Sequence, residues 1–238
     1  MSENSGYSSP MSDTTHDALF GRLVFAIENT RWVARREEAG ITVSSGRPVF
    51  SAGEVPHPAE GFYICSVRGD QSIDDGFSYF KDACTFADSA NEMTSASEII
   101  SVLADTPVYY EAIVRTGFQL PWPLQDREFL HRVVARRDTD PDGRPRVLVA
   151  YDNVSEDGLP PAWDGYRRCP MAPSGQRLTV LADGQLRAEH CMTYDLGGWI
   201  GPAVQNTVFH RGHVGAYFDE WRAAMDALAS STLVSAAL

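Results

Sequence analysis

The chain has 238 residues and carries 20 Lys and Arg against 32 Asp and Glu, a formal net charge of −12. Charged residues make up 22% and hydrophobic residues 43%, which is the composition of an ordinary globular protein. The negative charge disfavours both nucleic acid and electrostatic docking on anionic lipid. We expect a disordered tail, residues 1–14, followed by one domain, residues 15–238, because the tail has almost no apolar side chains.

Export, membrane-spanning and metal-binding signals are missing from the sequence. The longest uncharged stretch, residues 196–209, is interrupted by glycines and a proline, whereas a spanning helix needs about 20 mostly apolar residues. No basic residue precedes Arg22, so we expect no secretory signal. Four cysteines lack the spacing of zinc ligands: Cys65, Cys84, Cys169 and Cys191. We interpret them as reduced thiols in a cytoplasmic protein without cofactor or metal, a Cys65–Cys84 pair across a hairpin being the alternative.

The predicted elements begin with a helix that opens at Asp17 and stops at about Gly40. Three strands, a short helix capped by Ser95 or Ser97, six strands and a long helix follow. Two turns with glycine, 140–143 and 182–184, predict hairpins. The expected strands are 41–43, 62–67, 77–86, 108–114, 129–137, 146–154, 166–169, 177–182 and 185–194, and the later helices are 97–103 and 202–230.

The last helix, expected from about Pro202 to Ser230, has its bulky residues on one broad face that needs a covering partner. The partner available is the sheet, which predicts an α+β fold with a curved antiparallel sheet of about nine strands wrapped on this helix. In the last strand Ala188, His190, Met192 and Tyr194 alternate toward the interior. A curved sheet leaves an internal hydrophobic cavity with a few polar groups, although a fully packed core shows the same alternation.

Two segments carry family signatures. Leu120-Pro-Trp-Pro-Leu-Gln-Asp-Arg-Glu-Phe-Leu130 comes first, and residues 166–168, 171–175 and 193–206 follow in order, the last reading Thr-Tyr-Asp-Leu-Gly-Gly-Trp-Ile-Gly-Pro-Ala-Val-Gln-Asn. Both resemble the signatures of START (StAR-related lipid-transfer) domains, over about residues 15–232. The resemblance implies the helix-grip fold, in which a nine-stranded sheet and the C-terminal helix enclose a tunnel for one lipid or similar hydrophobic molecule.

The resemblance leaves the polar anchors of the ligand open. Val133 stands where some sterol-binding relatives carry an arginine that faces a buried acid. Trp122, Trp163 and Tyr166 lie in motifs with structural explanations, so no phosphocholine cage is assigned. Arg127 is interpreted as structural, because a guanidinium can tie the start of a strand to backbone carbonyls.

We expect a carrier or sensor that sequesters one lipid, sterol or isoprenoid-like molecule and exchanges it with membranes by transient contact. His190 is the first candidate anchor, because a buried neutral histidine both donates and accepts a hydrogen bond; a hydrogen-bonded core histidine is the other interpretation. The loops around Gly175 and residues 117–121 are expected to bend when ligand leaves. The full set of expected ligand contacts is His190, Tyr194, Met192, Phe129, His131, Val133, Val208, Arg211 and Phe218.

Two other functions stay open. A polyketide aromatase/cyclase on the same architecture would use His190, Tyr194, Arg127 and His131, since fold does not determine function. No sequence motif of nucleophilic, metal or nucleotide chemistry is present, so no catalytic residue is assigned. A ligand-gated partner-binding module is the third possibility. Arginines converge on one hairpin as either a docking patch or partners of nearby acids: Arg132, Arg136, Arg137, Arg144 and Arg146.

Overall fold

A computed structural model describes residues 13–69, 71–74, 76–78, 94–120, 124–154, 160–171, 173–193, 195–197, 201, 206, 215, 218–219, 221–223 and 225–226. Helix α1 (Asp13–Asn29) comes first, residues 73–74 and 76–78 are helical, and every described position from 206 to 226 is helical. We call the last of these the C-terminal helix. The strands described are β1 (Val33–Glu38), β2 (Ile41–Gly46), β3 (Gly61–Arg68), β4 (Thr94–Asp105), β5 (Tyr109–Phe118), β6 (Asp126–Thr139), β7 (Pro145–Asn153), β8 (Tyr166–Cys169), β9 (Ser174–Val180) and β10 (Leu186–Met192).

All ten strands belong to one sheet with the order β1-β2-β3-β10-β9-β7-β6-β5-β4, in which every neighbouring pair is antiparallel. Strand β8 lies off this path and pairs in parallel with the first residues of β6. The α+β helix-grip prediction is confirmed by this nine-strand antiparallel path. The predicted limits of the C-terminal helix, 202 and 230, lie outside the described residues. Among the described helices, none combines the length and hydropathy that a membrane span requires.

The two faces of the sheet pack against different helices. On the face that we call inner, residues such as Val133, Val149 and Ala188 form one apolar core with Phe218 and Trp221 of the C-terminal helix. On the opposite, outer face, Val134 and Leu148 pack with the apolar side of α1. Because side chains alternate along a strand, each strand contributes to both cores. The inner face lies under the C-terminal helix, where the sequence leads us to expect a ligand.

Both predicted hairpins are present, and glycine sits where the turn needs a positive φ. Gly184 (φ 83°) closes the β9–β10 turn, in which the Leu181 amide donates to the Gln185 carbonyl at 2.7 Å. Gly143 (φ 79°) closes the β6–β7 turn. There the side-chain oxygen Oδ1 of Asp140 accepts from the amides of Asp142 and Arg144, at 2.9 Å each. These turns set the register of the strands that carry His131 and His190.

The predicted helix 97–103 is wrong, because these residues belong to β4. Strand β4 pairs with β5 through three register shifts, at 94/96, 99/101 and 102/104. Each bulge adds a residue and resets the alternation of the side chains. The apolar residues of β4 therefore recur at three- and four-residue intervals, which imitates the periodicity of a helix.

Other boundaries also differ from the prediction. Helix α1 runs from Asp13 to Asn29, so it begins within the predicted tail and ends well before Gly40. Strand β1 occupies the difference; it was missed because this mostly exposed edge strand (Val-Ala-Arg-Arg-Glu-Glu) shows no apolar alternation. Ala39 and Gly40, both with positive φ, form the turn to β2. The predicted strand 77–86 is wrong at Phe77 and Ser78, which are helical; residues 79–86 lie outside the described part.

Candidate functional site

The two family signatures meet at the start of β6. Arg127, which is 2% exposed, donates through Nε to the carbonyl of Leu196 at 2.8 Å and through NH1 to the carbonyl of Gln125. The Cys169 thiol donates to the same Leu196 carbonyl at 3.1 Å. Burial lowers the pKa of Arg127. Arg127 therefore has the structural role predicted for it, and its guanidinium is engaged with backbone.

The loop after β10 is held by a local turn, because Oδ1 of Asp195 accepts from the Gly197 amide at 2.9 Å. The expected hinge at Gly175 is wrong. Gly175 lies inside β9, paired with Ala150 and Cys191, and a Cβ there would meet the Val149 carbonyl oxygen at 2.1 Å. Gly117 likewise lies inside β5. Ligand exit cannot bend the chain at these two glycines without breaking the sheet.

Six of the nine expected ligand contacts share the inner face. Phe129, Val133, Met192 and Phe218 belong to its apolar core. His131 and His190 alternate in phase with these residues on β6 and β10, and each lies near an aromatic ring of that core: Tyr151 at 5.5 Å for His131 and Trp221 at 5.7 Å for His190, between ring centroids. The other three, Tyr194, Val208 and Arg211, lie outside the described residues.

His190 occupies the middle of an apolar row that crosses the sheet. Its register partners are Ile64 on β3 and Gln176 on β9, and Gln176 is in turn opposite Val149 on β7. Residues directly opposite in a ladder point to the same face and lie about 5 Å apart. Two neutral polar side chains, His190 and Gln176, therefore stand next to each other between aliphatic neighbours.

Several polar atoms of the inner face have no hydrogen-bond partner among the described residues. They are Nε2 of His190, Oε1 of Gln176, Nδ1 of His131 and Oγ1 of Thr116. Burial lowers the pKa of both His131 and His190 to about 4, so both rings are neutral at pH 7. Folded proteins rarely leave such atoms unpaired, since each one costs stability.

Gln176 and Thr116 were missed by the sequence analysis. The signal for Gln176 was available, because a hairpin centred on residue 183 pairs His190 with Gln176 by simple counting. Thr116 is opposite Phe129 and also opposite Ser97, which lies in the strand that was mistaken for a helix. The predicted strand 108–114 ends two residues before Thr116, whereas β5 continues to Phe118.

The C-terminal helix is tied to one side of the sheet. Nε1 of Trp221 donates to the Ser66 hydroxyl at 3.1 Å, and Nε2 of Gln71 donates to the Met225 carbonyl at 2.6 Å. Arg68 pairs with Asp226 at 3.2 Å. All three sheet-side partners belong to β3 or the segment after it. The β3 region of the sheet therefore holds the helix by polar contacts.

The arginines of the β6–β7 region have acid partners, which favours the second interpretation over a docking patch. Arg132 pairs with Glu111, and Arg136 bonds Asp17 at 2.6 Å. The remaining pairs are Arg137 with Asp74, Arg144 with Asp140 and Asp142, and Arg146 with Asp138. The excess positive charge on this hairpin is neutralised locally.

An open cleft of about 520 Å³ lies beside the turn between β4 and β5. Arg137 forms one wall, with its guanidinium 4.6 Å from the centre of the Phe77 ring. The cleft is lined by Phe77, Ser78, Asp105, Thr106, Pro107 and Arg137, none of which was expected to contact ligand. Within the described ranges, no three His, Cys, Asp or Glu side chains gather where they could hold a metal ion.

Comparison with known proteins agrees with this geometry. The START domain family model matches residues 88–231, more than half of the chain, and this span contains both signatures. The chain belongs to the START domain family. Comparison with curated protein sequences returned no match.

Solved structures share the fold of this START domain. Human StAR-related lipid transfer protein 5 superposes with a TM-score of 0.63 at 18% identity, covering 90% of this chain and 96% of its own. A STAR-related lipid transfer protein fragment from Xanthomonas axonopodis gives 0.54 at 22% identity, with coverage of 83% and 98%. Human STARD10 gives 0.58 at 12% identity, with coverage of 94% and 83%. At these identities the likeness concerns the fold.

Proposed function

We propose that this START domain binds one hydrophobic, lipid-like molecule between the inner face of its sheet and the C-terminal helix, and exchanges it with membranes. Two structural neighbours, from human and from Xanthomonas axonopodis, are named as lipid transfer proteins, which makes a lipid the first ligand class to test. Moving apolar ligand surface out of water contributes roughly 25 cal/mol per Å². A ligand that buries several hundred Å² would therefore gain several kcal/mol.

The observation that carries the proposal is the group of unpaired polar atoms on the inner face. His131 and Gln176 are only 2% and 5% exposed, yet each has a ring nitrogen or amide oxygen without a partner in the described chain. In a sealed protein core these side chains would lower stability, because no hydrogen bond compensates for burying their polar atoms. A mostly apolar ligand with a few polar atoms offers the missing partners.

A cyclase that uses both histidines together fits this geometry less well. His131 and His190 lie on strands that are three positions apart in the sheet, and they are offset by about four residues along the strand direction. Together these separations place them about 15–20 Å apart. Acid and base groups that act on one reacting centre must each come within hydrogen-bond reach of it. Arg127, the third candidate, is engaged with backbone carbonyls. Binding explains these residues more simply than acid-base catalysis.

Release of ligand would require the C-terminal helix or a neighbouring loop to move. Because the described polar contacts of this helix lie on the β3 side, we place the opening on the opposite side, toward β4 and β5. The exchange takes place in the cytoplasm in this proposal, which agrees with the free thiols of Cys65, Cys169 and Cys191.

The test is native mass spectrometry of the purified protein with extraction of its ligand, followed by transfer of that ligand between liposomes. The variant is Met192→Trp, on the buried inner face, and the matched control is Val102→Trp, whose side chain is 51% exposed. Met192→Trp should fold and lose the ligand, because the larger ring fills the space that the ligand occupies. Val102→Trp should keep it.

Two results contradict the proposal. One is a wild-type protein that yields no extractable hydrophobic molecule and takes up none from a panel of liposomes. The other is a folded Met192→Trp variant that keeps the extracted molecule as the wild type does, because the ligand would then not occupy the space that the larger ring fills. Turnover of a polyketide substrate by the wild type would favour the cyclase.

A further inference from the structure

The inner face contains two adjacent polar side chains that restrict the chemistry of the ligand. His190 and Gln176 are register partners on β10 and β9. On the same face, Ala188 and Met192 flank His190 and Leu178 follows Gln176, and all three are apolar and buried. Ser174, which precedes Gln176, is buried with its hydroxyl bonded to the backbone of Thr193. Across the sheet the row continues in both directions with Val43, Ile64, Val149 and Ala135. The two polar side chains are thus surrounded mainly by apolar ones.

The described protein groups around this pair do not satisfy its free atoms. Oε1 of Gln176 and Nε2 of His190 are both buried and have no partner in the described chain. Among the described residues of the C-terminal helix, Trp221 lies beside His190, and its Nε1 already donates to the Ser66 hydroxyl. Within the described part of the chain the pair has no partner for these two atoms, which favours a partner from a ligand placed between the sheet and the helix.

We propose that Gln176 and His190 together bind a hydroxyl group of the ligand. The hydroxyl donates a hydrogen bond to Oε1 of Gln176 and accepts one from Nε2–H of His190. Adjacent strands lie about 4.8 Å apart. One hydroxyl oxygen about 2.8 Å from both Oε1 of Gln176 and Nε2 of His190 can therefore bridge the two side chains. This inference rests on the proposed function and adds to it the polar group that the ligand carries.

The donor and acceptor roles follow from the chemistry of the two side chains. The oxygen of an amide only accepts, so its partner must carry a proton. A neutral imidazole carries a proton on one ring nitrogen and can place it on Nε2. Because burial lowers the pKa of His190 to about 4, the ring is neutral at pH 7 and keeps this ability. A ketone or ether oxygen could use His190 and would leave Gln176 unpaired.

The experiment compares ligands that share a skeleton and differ in this one group. The probes are cholesterol, its 3-ketone and its 3-methyl ether, and farnesol with its methyl ether as a second skeleton. Each is titrated into the wild type, Gln176→Met and Ile64→Val. Met keeps the length of Gln without its polar atoms, and Ile64→Val is a control in the same row of the sheet. Thermal melting establishes that each variant is folded.

The wild type should prefer the alcohol over the ketone and the ether by about tenfold or more, because only the alcohol satisfies Gln176. Gln176→Met should lose about tenfold in alcohol affinity and little in ketone affinity, and Ile64→Val should keep the wild-type preference. If Gln176→Met does not fold, His190→Asn takes its place. The wild-type preference alone tests the inference in any case.

Equal affinity of the wild type for alcohol and ketone overturns this inference, as does a preference for the ketone. An equal loss for all probes in Gln176→Met also overturns it, because the side chain would then act through packing. In each of these outcomes the protein still binds hydrophobic molecules, so the proposed function stands. Failure of the wild type to bind either skeleton or any lipid in the liposome panel contradicts the proposed function itself.

Discussion

The guanidinium of Arg127 and the carbonyl of Leu196, 69 residues apart in the chain, are joined by a hydrogen bond of 2.8 Å. Arg127 is the second residue of the long strand β6, and Leu196 follows β10 and precedes the C-terminal helix. The bond therefore connects the strand carrying His131 to the segment that leads into the helix covering the inner face. The Cys169 thiol of β8 donates to the same carbonyl, so three parts of the chain converge on one oxygen.

Replacing Arg127 by Lys should lower the free energy of unfolding by about 2–3 kcal/mol, because one ammonium cannot replace both hydrogen bonds that the buried guanidinium donates to the Leu196 and Gln125 carbonyls. Urea denaturation measures the change. Arg144→Lys is the matched control, since Arg144 lies in an exposed turn, and it should change stability by less than about 0.5 kcal/mol. Similar values for the two variants would contradict the role given to Arg127.

Acidification should destabilise the protein through its buried histidines. Burial lowers the pKa of His131 from 6.5 to about 4, so between these values the unfolded chain binds a proton that the folded protein does not. The free energy of unfolding should therefore fall as pH falls below 6.5, by up to about 1.4 kcal/mol per pH unit for this residue. Stability of the wild type and of His131→Gln is measured between pH 7 and pH 5. The carboxylates are common to both proteins, so equal pH slopes would contradict this prediction.

The buried pair of Glu111 and Arg132 should show strong coupling. The side chain of Glu111 is fully buried and also accepts from the Tyr109 hydroxyl at 2.6 Å. Arg132→Met leaves this carboxylate buried without its cation and should cost about 3–5 kcal/mol. The double variant Glu111→Leu with Arg132→Met should recover most of that loss. A double-mutant cycle in urea measures the coupling, and additive losses would show that the pair is not coupled.

Two glycines should respond to alanine in opposite directions. In Gly175→Ala the new Cβ would meet the Val149 carbonyl oxygen at 2.1 Å and Cδ2 of Leu23 at 2.8 Å, so β9 must separate from β7 or from α1. We expect a loss of more than about 3 kcal/mol. In Gly21→Ala nothing lies within 4 Å, and the helix should gain about 0.5–1 kcal/mol. Calorimetric melting of the two variants measures both signs.

The elements that could be predicted from the sequence are those in which the pattern of apolar and turn residues matches their burial and pairing in the fold. Strand β10 alternates without interruption, so His190 and Met192 were placed on the correct face. The Asp-Gly turns at 142–143 and 183–184 set the registers of β6–β7 and β9–β10. Once β10 and its hairpin were known, counting back from the turn would have revealed Gln176 as well.

The parts that could not be predicted lack that agreement. The bulges of β4 break its alternation, and only pairing with β5 reveals it as a strand. Edge strand β1 is mostly exposed and polar, so it carries no burial pattern. In the candidate site, the pairing of Thr116 with Ser97 of β4 was missed because β4 was interpreted as a helix. A single-sequence pattern cannot detect a polar pair whose second member lies in a misassigned strand.

Three carboxylates are buried in the described chain, Glu111, Glu128 and Glu189, and all three lie on the outer face of their strands. Their partners are there too: Arg132 for Glu111, Arg168 for Glu128 and Arg177 for Glu189. These ion pairs are thus separated from the proposed ligand-binding face by the thickness of one sheet. On the proposed binding face, neutral residues can therefore change, and with them the preferred ligand, without disturbing these ion pairs.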